Sequence, residues 1–187
     1  MYLETNRLYL RLFHPSDYYD LYEYLSDPKV VQYEQYSTFT LKQCRAEAIM
    51  RSKNPSYLAV ILKDYGKLIG NLYFVEHSFM TWEIGYIFNQ FYHHKGYAYE
   101  SCCKLFHYAF TQKDIRRIVA KCAAENTPSW KLMEHLGMRR EGYCRSDTFY
   151  QITSSGAPVW KDSLYYGILQ SEYFAQHPEY LSVELKK

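Results

Sequence analysis

The 187-residue sequence lacks the long apolar and singly charged runs of membrane and nucleic-acid-binding proteins. Its longest apolar run, residues 58–62, is far shorter than the roughly 20 residues of a membrane-spanning helix. Residues 1–13 alternate polar and apolar side chains, unlike the continuous apolar stretch of a signal peptide. The formal net charge is only +2, and no block of like charges occurs. The sequence therefore predicts a cytoplasmic protein with no membrane or nucleic-acid partner.

Cysteine pairing of the kind that binds metals is also missing. The sequence contains five cysteines, an odd number, and no Cys-x-x-Cys pair. Buried free thiols in a reducing cytosol are the expectation. We therefore predict no metal site and no disulfide among Cys44, Cys102, Cys103, Cys122 and Cys144.

Internal repeats and low-complexity linkers are absent, and the length suits one domain with a substantial core. We predict a single domain over residues 1–187. The abundant residue is tyrosine, with 22 copies. Because tyrosine packs like an apolar residue but carries a polar tip, we expect these rings to build both core and surface.

Apolar periodicity and turn signals predict the order strand, two helices, three strands, helix, strand, helix and two strands. The predicted strands cover residues 5–13, 57–63, 67–76, 82–88, 118–122, 138–150 and 159–169. The predicted helices cover residues 17–25, 41–52, 97–111 and 126–136. This order indicates an α+β fold with α/β/α layers, in which about four helices cover a mixed, mostly antiparallel sheet of about seven strands.

The segment after the strand at residues 82–88 suits an anion. A loop follows this strand and opens a helix at Gly96, where unpaired N–H groups and the positive end of the helix dipole favour a pyrophosphate. Gly96 lets the backbone approach phosphate closely, and His93, His94 and Lys95 can add charge. The alternative is a tight turn without a ligand.

A second segment, residues 126–138, follows the next predicted strand. Taken together with the segment around Gly96, it makes the sequence resemble the GNAT acetyltransferase superfamily. Within that superfamily it is most similar to the branch of the ribosomal-protein-alanine N-acetyltransferases. The resemblance rests on residues 4–11, 83–86, 95–98, 126–129 and 136–138. It implies the GNAT fold, with a sheet that splays after the strand at residues 82–88, the fourth predicted strand, and holds acetyl-CoA in the opening.

The resemblance implies a site for acetyl-CoA in three parts. The loop that binds phosphate comprises His93, His94, Lys95, Gly96, Tyr97 and Ala98. The backbone of Ile87 and Phe88 would contact the pantetheine arm. Asn126 would lie on the CoA side of its helix, and Ser129 near the thioester sulfur. Without the family, Asn126 suits an ordinary helix N-cap equally well.

Two departures from the family pattern concern the chemistry. His93 and His94 replace the usual Gln or Arg and a small residue, so their charge depends on pH. Met133 stands where many members carry the tyrosine that protonates the leaving thiolate. A thioether cannot donate a proton, so the donor would be Ser129, as in the related branch, or a water molecule.

Glu83 is the candidate general base. The alternate residues Trp82, Ile84 and Tyr86 are apolar, so a carboxylate between them would be partly desolvated and its pKa raised. The competing interpretation is a solvated residue that attracts a cationic acceptor. A β-bulge in the same strand is expected to leave an N–H free to stabilise an oxyanion.

Together these features predict an acetyl-CoA-dependent N-acetyltransferase whose primary-amine acceptor attacks the thioester directly. The first candidate acceptor is a protein N-terminus. The alternatives are a small amine (an amino acid, polyamine or antibiotic) and a CoA-binding module without catalysis. We expect the acceptor groove between residues 17–52 and the hairpin at residues 152–160, in a monomer or homodimer.

Overall fold

Eight strands and six α-helices make up residues 2–180, which a computed structural model describes. The predicted domain of residues 1–187 extends at both ends beyond this range. The strands are β1 Tyr2–Glu4, β2 Leu8–Leu12, β3 Tyr57–Leu62, β4 Lys67–His77, β5 Thr81–Phe88, β6 Arg117–Ala123, β7 Arg139–Ile152 and β8 Pro158–Leu169. The helices are α1 Tyr18–Leu25, α2 Pro28–Val31, α3 Leu41–Ser52, α4 Tyr97–Gln112, α5 Thr127–His135 and α6 Gln170–Gln176.

One sheet holds all eight strands, in the order β1-β2-β3-β4-β5-β6-β8-β7. Every neighbouring pair is antiparallel except β5 and β6, which are parallel. Parallel strands need a crossover, and α4 supplies it between β5 and β6. The sheet is therefore mixed and mostly antiparallel, as the sequence predicts.

Helices cover both faces of this sheet. On one face α1, α2 and α3 share a cluster of buried side chains with β3 and β4. On the other face α4, α5 and α6 pack over a larger cluster that includes β2, β3 and β8. Because β3 is buried on both faces, its central residues form a continuous apolar run rather than an alternating one. The α/β/α layering is confirmed.

The N-terminal strand is shorter than predicted. Residues 5–13 were expected to form one strand, but β2 begins at Leu8 and pairs with a separate strand, β1. The Thr5 amide donates to the Leu8 carbonyl oxygen at 3.0 Å, and the Leu8 amide donates to Thr5 Oγ1 at 2.9 Å. These bonds close a turn at residues 5–7, so the sheet gains an eighth strand.

Helix termini follow the predicted capping chemistry. The Thr40 Oγ1 accepts from the Gln43 amide at 3.3 Å, and the Gln43 side chain accepts from the Thr40 amide at 2.8 Å, which completes the predicted capping box. Gly137 adopts a φ of +79° directly after α5, as expected for a helix stop. The structure adds α2 and α6 to the four predicted helices. Within residues 2–180, no helix has the length and apolar character to cross a bilayer.

Candidate active site

The sheet opens between β5 and β6. These strands pair only at Thr81–Glu83 with Arg117–Val119, although β5 continues to Phe88. Since alternate backbone amides of a strand point to opposite edges, residues 84–88 direct some N–H and C=O groups into the opening. The β-bulge predicted in this strand is wrong: β4 and β5 pair from Gly70 to His77 without a register shift. Splaying, not a bulge, frees these groups.

Two cavities flank this opening. The first has a volume of about 920 Å³ and lies against residues 86–88, the loop before α4 and the start of α5; we call it the CoA cavity after the ligand that the family resemblance implies. The second has a volume of about 470 Å³ and is lined by residues 33–36; we call it the acceptor cavity because the sequence analysis expects the acceptor groove at residues 17–52. They meet at six shared lining residues: Tyr33, Glu34, Tyr86, Ile87, Asn126 and Ser129.

The loop at residues 93–96 forms one wall of the CoA cavity. Gly96 has a φ of +78° and His94 a φ of +58°, so the chain enters α4 through two left-handed residues. A Cβ on Gly96 would lie 3.4 Å from the Arg7 guanidinium, besides being strained at this φ. The His93 Nε2 lies 2.9 Å from the Phe88 carbonyl oxygen and so carries the proton in this contact.

Arg7 fixes this loop from the turn between β1 and β2. Its Nη1 donates to the Lys95 carbonyl oxygen at 3.0 Å, and its guanidinium lies 4.5 Å from the centre of the Tyr97 ring. The Arg7 Nε donates to Glu100 Oε2 at 2.7 Å, and Thr5 Oγ1 donates to Glu100 Oε1 at 2.6 Å. Burial opposes ionisation of Glu100, but these hydrogen bonds outweigh it and lower its pKa.

Ser129 and Tyr86 face each other across the opening. The Tyr86 hydroxyl donates to the Ser129 carbonyl oxygen at 2.9 Å and lies 3.0 Å from Ser129 Oγ. Burial raises the pKa of Tyr86, so the phenol keeps its proton. Burial also raises the pKa of Cys122, although a hydrogen bond with Ser129 partly offsets it. A thiol held in its neutral form is a poor nucleophile.

Asn126 and Met133 lie on the two ends of α5. The Asn126 side chain accepts from the Ser129 amide at 3.3 Å, which makes it the N-cap of the helix. Met133 is 2% exposed and lines the acceptor cavity. The hydroxyl at the opening therefore belongs to Ser129 in the first turn of α5, whereas the interior of the helix offers only the thioether of Met133.

The acceptor cavity has a buried polar floor. Arg51, 3% exposed, donates from Nε to Glu47 Oε1 at 2.8 Å and from Nη1 to Asn71 Oδ1 at 3.0 Å. The Tyr24 hydroxyl also donates to Asn71 Oδ1, at 2.8 Å. The Arg51 charge is therefore matched by the Glu47 carboxylate. Sequence reasoning missed this network, which joins three elements far apart in the chain.

Aromatic rings form the walls of the acceptor cavity. The six tyrosines that line it are Tyr33, Tyr36, Tyr57, Tyr73, Tyr86 and Tyr150. The rings of Tyr33 and Tyr150 meet edge to face at 6.2 Å. Of the predicted walls, residues 17–52 contribute residues 33–36 and Arg51. The hairpin at residues 152–160 is absent from the lining; the preceding part of β7 contributes Thr148 and Tyr150 instead.

Charges differ between the two cavities. The CoA cavity is lined by Lys29, Lys131 and three histidines, against the single carboxylate of Glu34. The acceptor cavity carries the carboxylates of Glu34 and Glu83, and its two cations are already paired outside the lining. Arg51 pairs with Glu47, and Lys121 Nζ lies 2.6 Å from Asp147 Oδ2. The first cavity suits an anion and the second a cation.

Glu83 lies on the rim of the acceptor cavity. Its Oε2 lies 2.8 Å from His77 Nε2, and its side chain is 40% exposed. The apolar residues Ile84 and Phe88 belong to the core on the opposite face of β5. The apolar, desolvated setting expected for Glu83 is therefore wrong, because alternate residues of a strand face opposite sides.

The CoA cavity matches acetyl-CoA in the chemistry of its donors. Its lining includes nine of the ten residues that the sequence assigned to CoA: Ile87, Phe88, His93, His94, Gly96, Tyr97, Ala98, Asn126 and Ser129. The tenth, Lys95, is not in the lining; its Nζ lies 5.3 Å from the centre of the Tyr92 ring. Lys29 and Lys131 in the lining and the helix start at Gly96 suit phosphates, and the free edge of β5 suits an amide-bearing arm.

Comparisons with known proteins agree with this geometry. A family model described as an acetyltransferase (GNAT) domain matches residues 7–139. The uncharacterized N-acetyltransferase YnaD of Bacillus subtilis strain 168 is 38% identical over 179 residues, which cover 92% of this chain and 99% of that protein. The uncharacterized N-acetyltransferase p20 of Bacillus licheniformis is 34% identical over 151 residues, covering 76% and 85%.

Solved structures show the same architecture. The crystal structure of a GNAT-family acetyltransferase from Bacillus anthracis superposes with a TM-score of 0.84 at 35% identity, covering 91% of this chain and 99% of that one. A GCN5-related N-acetyltransferase from Brucella melitensis, at 22% identity and a TM-score of 0.81, shares the fold. The splayed sheet, the loop before α4 and these similarities together establish that this chain belongs to the GNAT acetyltransferases and is an N-acetyltransferase.

Proposed function

We propose that this enzyme moves the acetyl group of acetyl-CoA to a primary amine by direct attack of the amine on the thioester. The observation that carries the proposal is the meeting of a cation-lined and a carboxylate-lined cavity at Tyr86 and Ser129. Acetyl-CoA supplies the activated acetyl group. Holding two reactants in line at one junction can lower the barrier by about 7 kcal/mol or more.

The CoA roles assigned from the family resemblance are part of this proposal. The loop of residues 93–98 would hold the phosphates, with the backbone of Ile87 and Phe88 against the pantetheine arm. Asn126 would position the start of α5 and leave Ser129 near the sulfur. Support comes from the N-cap bond of Asn126 and from the shared lining of both cavities by Ser129.

Ser129 is proposed to protonate, or donate a hydrogen bond to, the departing sulfur. Met133 cannot do so, and Cys122 is held as a neutral thiol beside Ser129. Tyr86 orients the Ser129 hydroxyl through their 3.0 Å contact, and it can pass a proton to Ser129 only as it receives one from the reacting nitrogen, because burial keeps the phenol protonated. Amide groups of residues 84–88 that face the opening are proposed to stabilise the oxyanion.

The acceptor is proposed to be a cationic primary amine. Carboxylates without a free cation beside them attract an ammonium ion, and tyrosine faces add cation–π attraction. Glu83, exposed at the rim and paired with a histidine, is the proposed anchor for this amine. The first candidate is a protein N-terminal amine, as in the ribosomal-protein-alanine branch. The cavity volume of about 470 Å³ favours a small amine as the second candidate.

The compartment and assembly state follow from the same reasoning. Cys44, Cys102 and Cys122 are buried, and all five cysteines are free thiols. Free thiols of this kind are typical of proteins in a reducing compartment, which supports the proposal that the enzyme works in the cytoplasm. An enzyme with one complete junction per chain needs no partner residue for the reaction, so a monomer or a homodimer would both serve.

A turnover assay tests the proposal. Release of free thiol from acetyl-CoA would be followed with four acceptors: an alanine-led tripeptide, a free amino acid, a diamine and an aminoglycoside. Calorimetry would measure CoA binding separately. We expect CoA binding and acetylation of at least one acceptor. CoA binding without acetylation of any primary amine would contradict the proposal and leave a binding module.

A further inference from the structure

Glu34 occupies the junction of the two cavities. It follows α2, and its amide donates to the Val31 carbonyl oxygen at 2.9 Å, which holds the chain over the opening. Glu34 lines both cavities, whereas Glu83 lines only the acceptor cavity. Within residues 2–180, Glu34 is the sole carboxylate in the lining of the CoA cavity. In the proposed reaction, an acceptor nitrogen that moves from the acceptor cavity toward a thioester in the CoA cavity would pass this group.

Four ionisable side chains from the surrounding elements face Glu34. Tyr36, on the same segment, donates a hydrogen bond to it, and the Arg51 charge reaches it from α3. Tyr57 of β3 and Tyr150 of β7 lie near enough to feel its charge. Arg51 is already bonded to Glu47 and Asn71, and tyrosines are neutral near pH 7. Arg51 therefore shares its charge with Glu47 and neutralises Glu34 only in part.

Burial sets the protonation of Glu34. Loss of hydration raises the pKa of the Glu34 carboxyl to about 7, and the Arg51 charge and the Tyr36 hydrogen bond offset this only in part. A carboxylate that titrates near the working pH is well matched to receive a proton and to release it again. Position and proton affinity therefore point to the same residue.

We propose that Glu34 is the general base, the carboxylate at the cavity junction that removes the proton from the acceptor amine; this rests on the proposed acetyl transfer. The amine arrives as an ammonium ion and gives one proton to Glu34. Its nitrogen lone pair forms the bond to the acetyl carbonyl carbon, the carbon–sulfur bond breaks, and the electron pair stays on sulfur. A second nitrogen proton goes to sulfur through Tyr86 and Ser129, and Glu34 releases its proton to solvent.

Rate measurements across pH test this role. The acceptor would be the one of the four with the highest wild-type turnover, at saturating acetyl-CoA. Glu34→Gln should lower kcat at about pH 7.5 by roughly 100-fold or more and remove the acidic limb of the kcat profile. Its affinity for acetyl-CoA should stay within about 2-fold, because the lost interaction belongs to the proton transfer. Glu34→Asp should keep the limb with an intermediate kcat.

Two control variants and a check of folding separate the outcomes. Glu76→Gln removes one exposed carboxylate of β4 and should change nothing, while Glu83→Gln should leave the acidic limb in place. Any of three results would overturn the assignment. The acidic limb of the kcat profile could remain in Glu34→Gln, or it could disappear in Glu83→Gln. Glu34→Gln could also lose as much affinity for acetyl-CoA as it loses in kcat. Far-ultraviolet circular dichroism establishes that the variants are folded.

A direct titration keeps this test independent of the acceptor. Carboxyl carbons of protein labelled with ¹³C-glutamate should show one signal that titrates near pH 7 and is missing in Glu34→Gln. If every glutamate signal titrates below about pH 5, near the ordinary glutamate range, the assignment fails. If Glu34 titrates near pH 7 but the enzyme acetylates none of the amines, the result would instead count against the proposed transfer reaction.

Discussion

The Tyr86 hydroxyl bonds both oxygens of Ser129, with 2.9 Å to the carbonyl oxygen and 3.0 Å to Oγ. A residue from β5 is thereby tied to the first turn of α5 across the place where the sheet opens. Since both residues line both cavities, this contact lies at the place where the proposed reaction would transfer the acetyl group.

Removing either hydroxyl of this pair should slow turnover. Ser129→Ala and Tyr86→Phe are each expected to lower kcat by about 10- to 100-fold, with acetyl-CoA affinity almost unchanged, because the bond matters most as charge grows on sulfur. If the two act as one unit, the double variant should be little slower than Ser129→Ala alone. Fully multiplicative losses would show independent roles.

Gly96→Asp should abolish CoA binding. The substitution places a side chain and a negative charge in the loop that is proposed to bind the phosphates, at a φ of +78°. Gly66→Asp is the matched control, since Gly66 has a φ of +62° and nothing within 4 Å of an added Cβ. Both variants bear a similar backbone cost of about 1–2 kcal/mol, and only the first should lose affinity by calorimetry. Equal loss in both would point to general destabilisation.

Glu83→Gln should raise the KM for the acceptor by about 3- to 10-fold and leave kcat nearly intact, as expected for an exposed electrostatic anchor. The increase should shrink at high ionic strength, because salt screens a charge that is 40% exposed. Steady-state kinetics at low and high salt measures both effects. A large fall in kcat would instead return the base role to Glu83.

Glu34 should also make folding stability depend on pH. Its folded pKa of about 7 lies above its unfolded value, so its contribution is fully present below the unfolded pKa. That contribution is lost as pH rises from the unfolded pKa through about 7, because the folded protein then holds an ionised carboxylate that is partly buried. Glu34→Gln should therefore gain about 2 kcal/mol of unfolding free energy relative to wild type between about pH 5 and pH 8. Urea unfolding of the ligand-free proteins measures this, with Glu76→Gln expected to follow wild type.

Periodic elements were predictable because burial on a sheet or a helix imposes a repeat on the chain. β4, β8 and α4 follow such repeats, and their ends differ from prediction by only a residue or so. β1 was missed because three residues are too few to show a period. α2 and α6 are likewise short, and their form depends on packing rather than on intrinsic propensity.

The site was predictable where a local motif carries it. The loop at Gly96 and the helix start at Asn126 are readable because their geometry depends on neighbours in sequence. Tyr86 was interpreted as core because it falls in an apolar alternation. Glu34 lies in a segment without any motif, and its raised pKa comes from burial, which the residues next to it in sequence do not reveal.

The short pairing of β5 with β6 makes the sheet incomplete in the free enzyme. Three residue pairs join a half-sheet of five strands to one of three. A pantetheine arm along residues 84–88 would act as a substitute strand, so the ligand becomes part of the architecture. Heat resistance of the folded state would then rise with CoA concentration by ordinary mass action. Amide hydrogens along this edge would exchange with solvent more slowly once the substitute strand is in place.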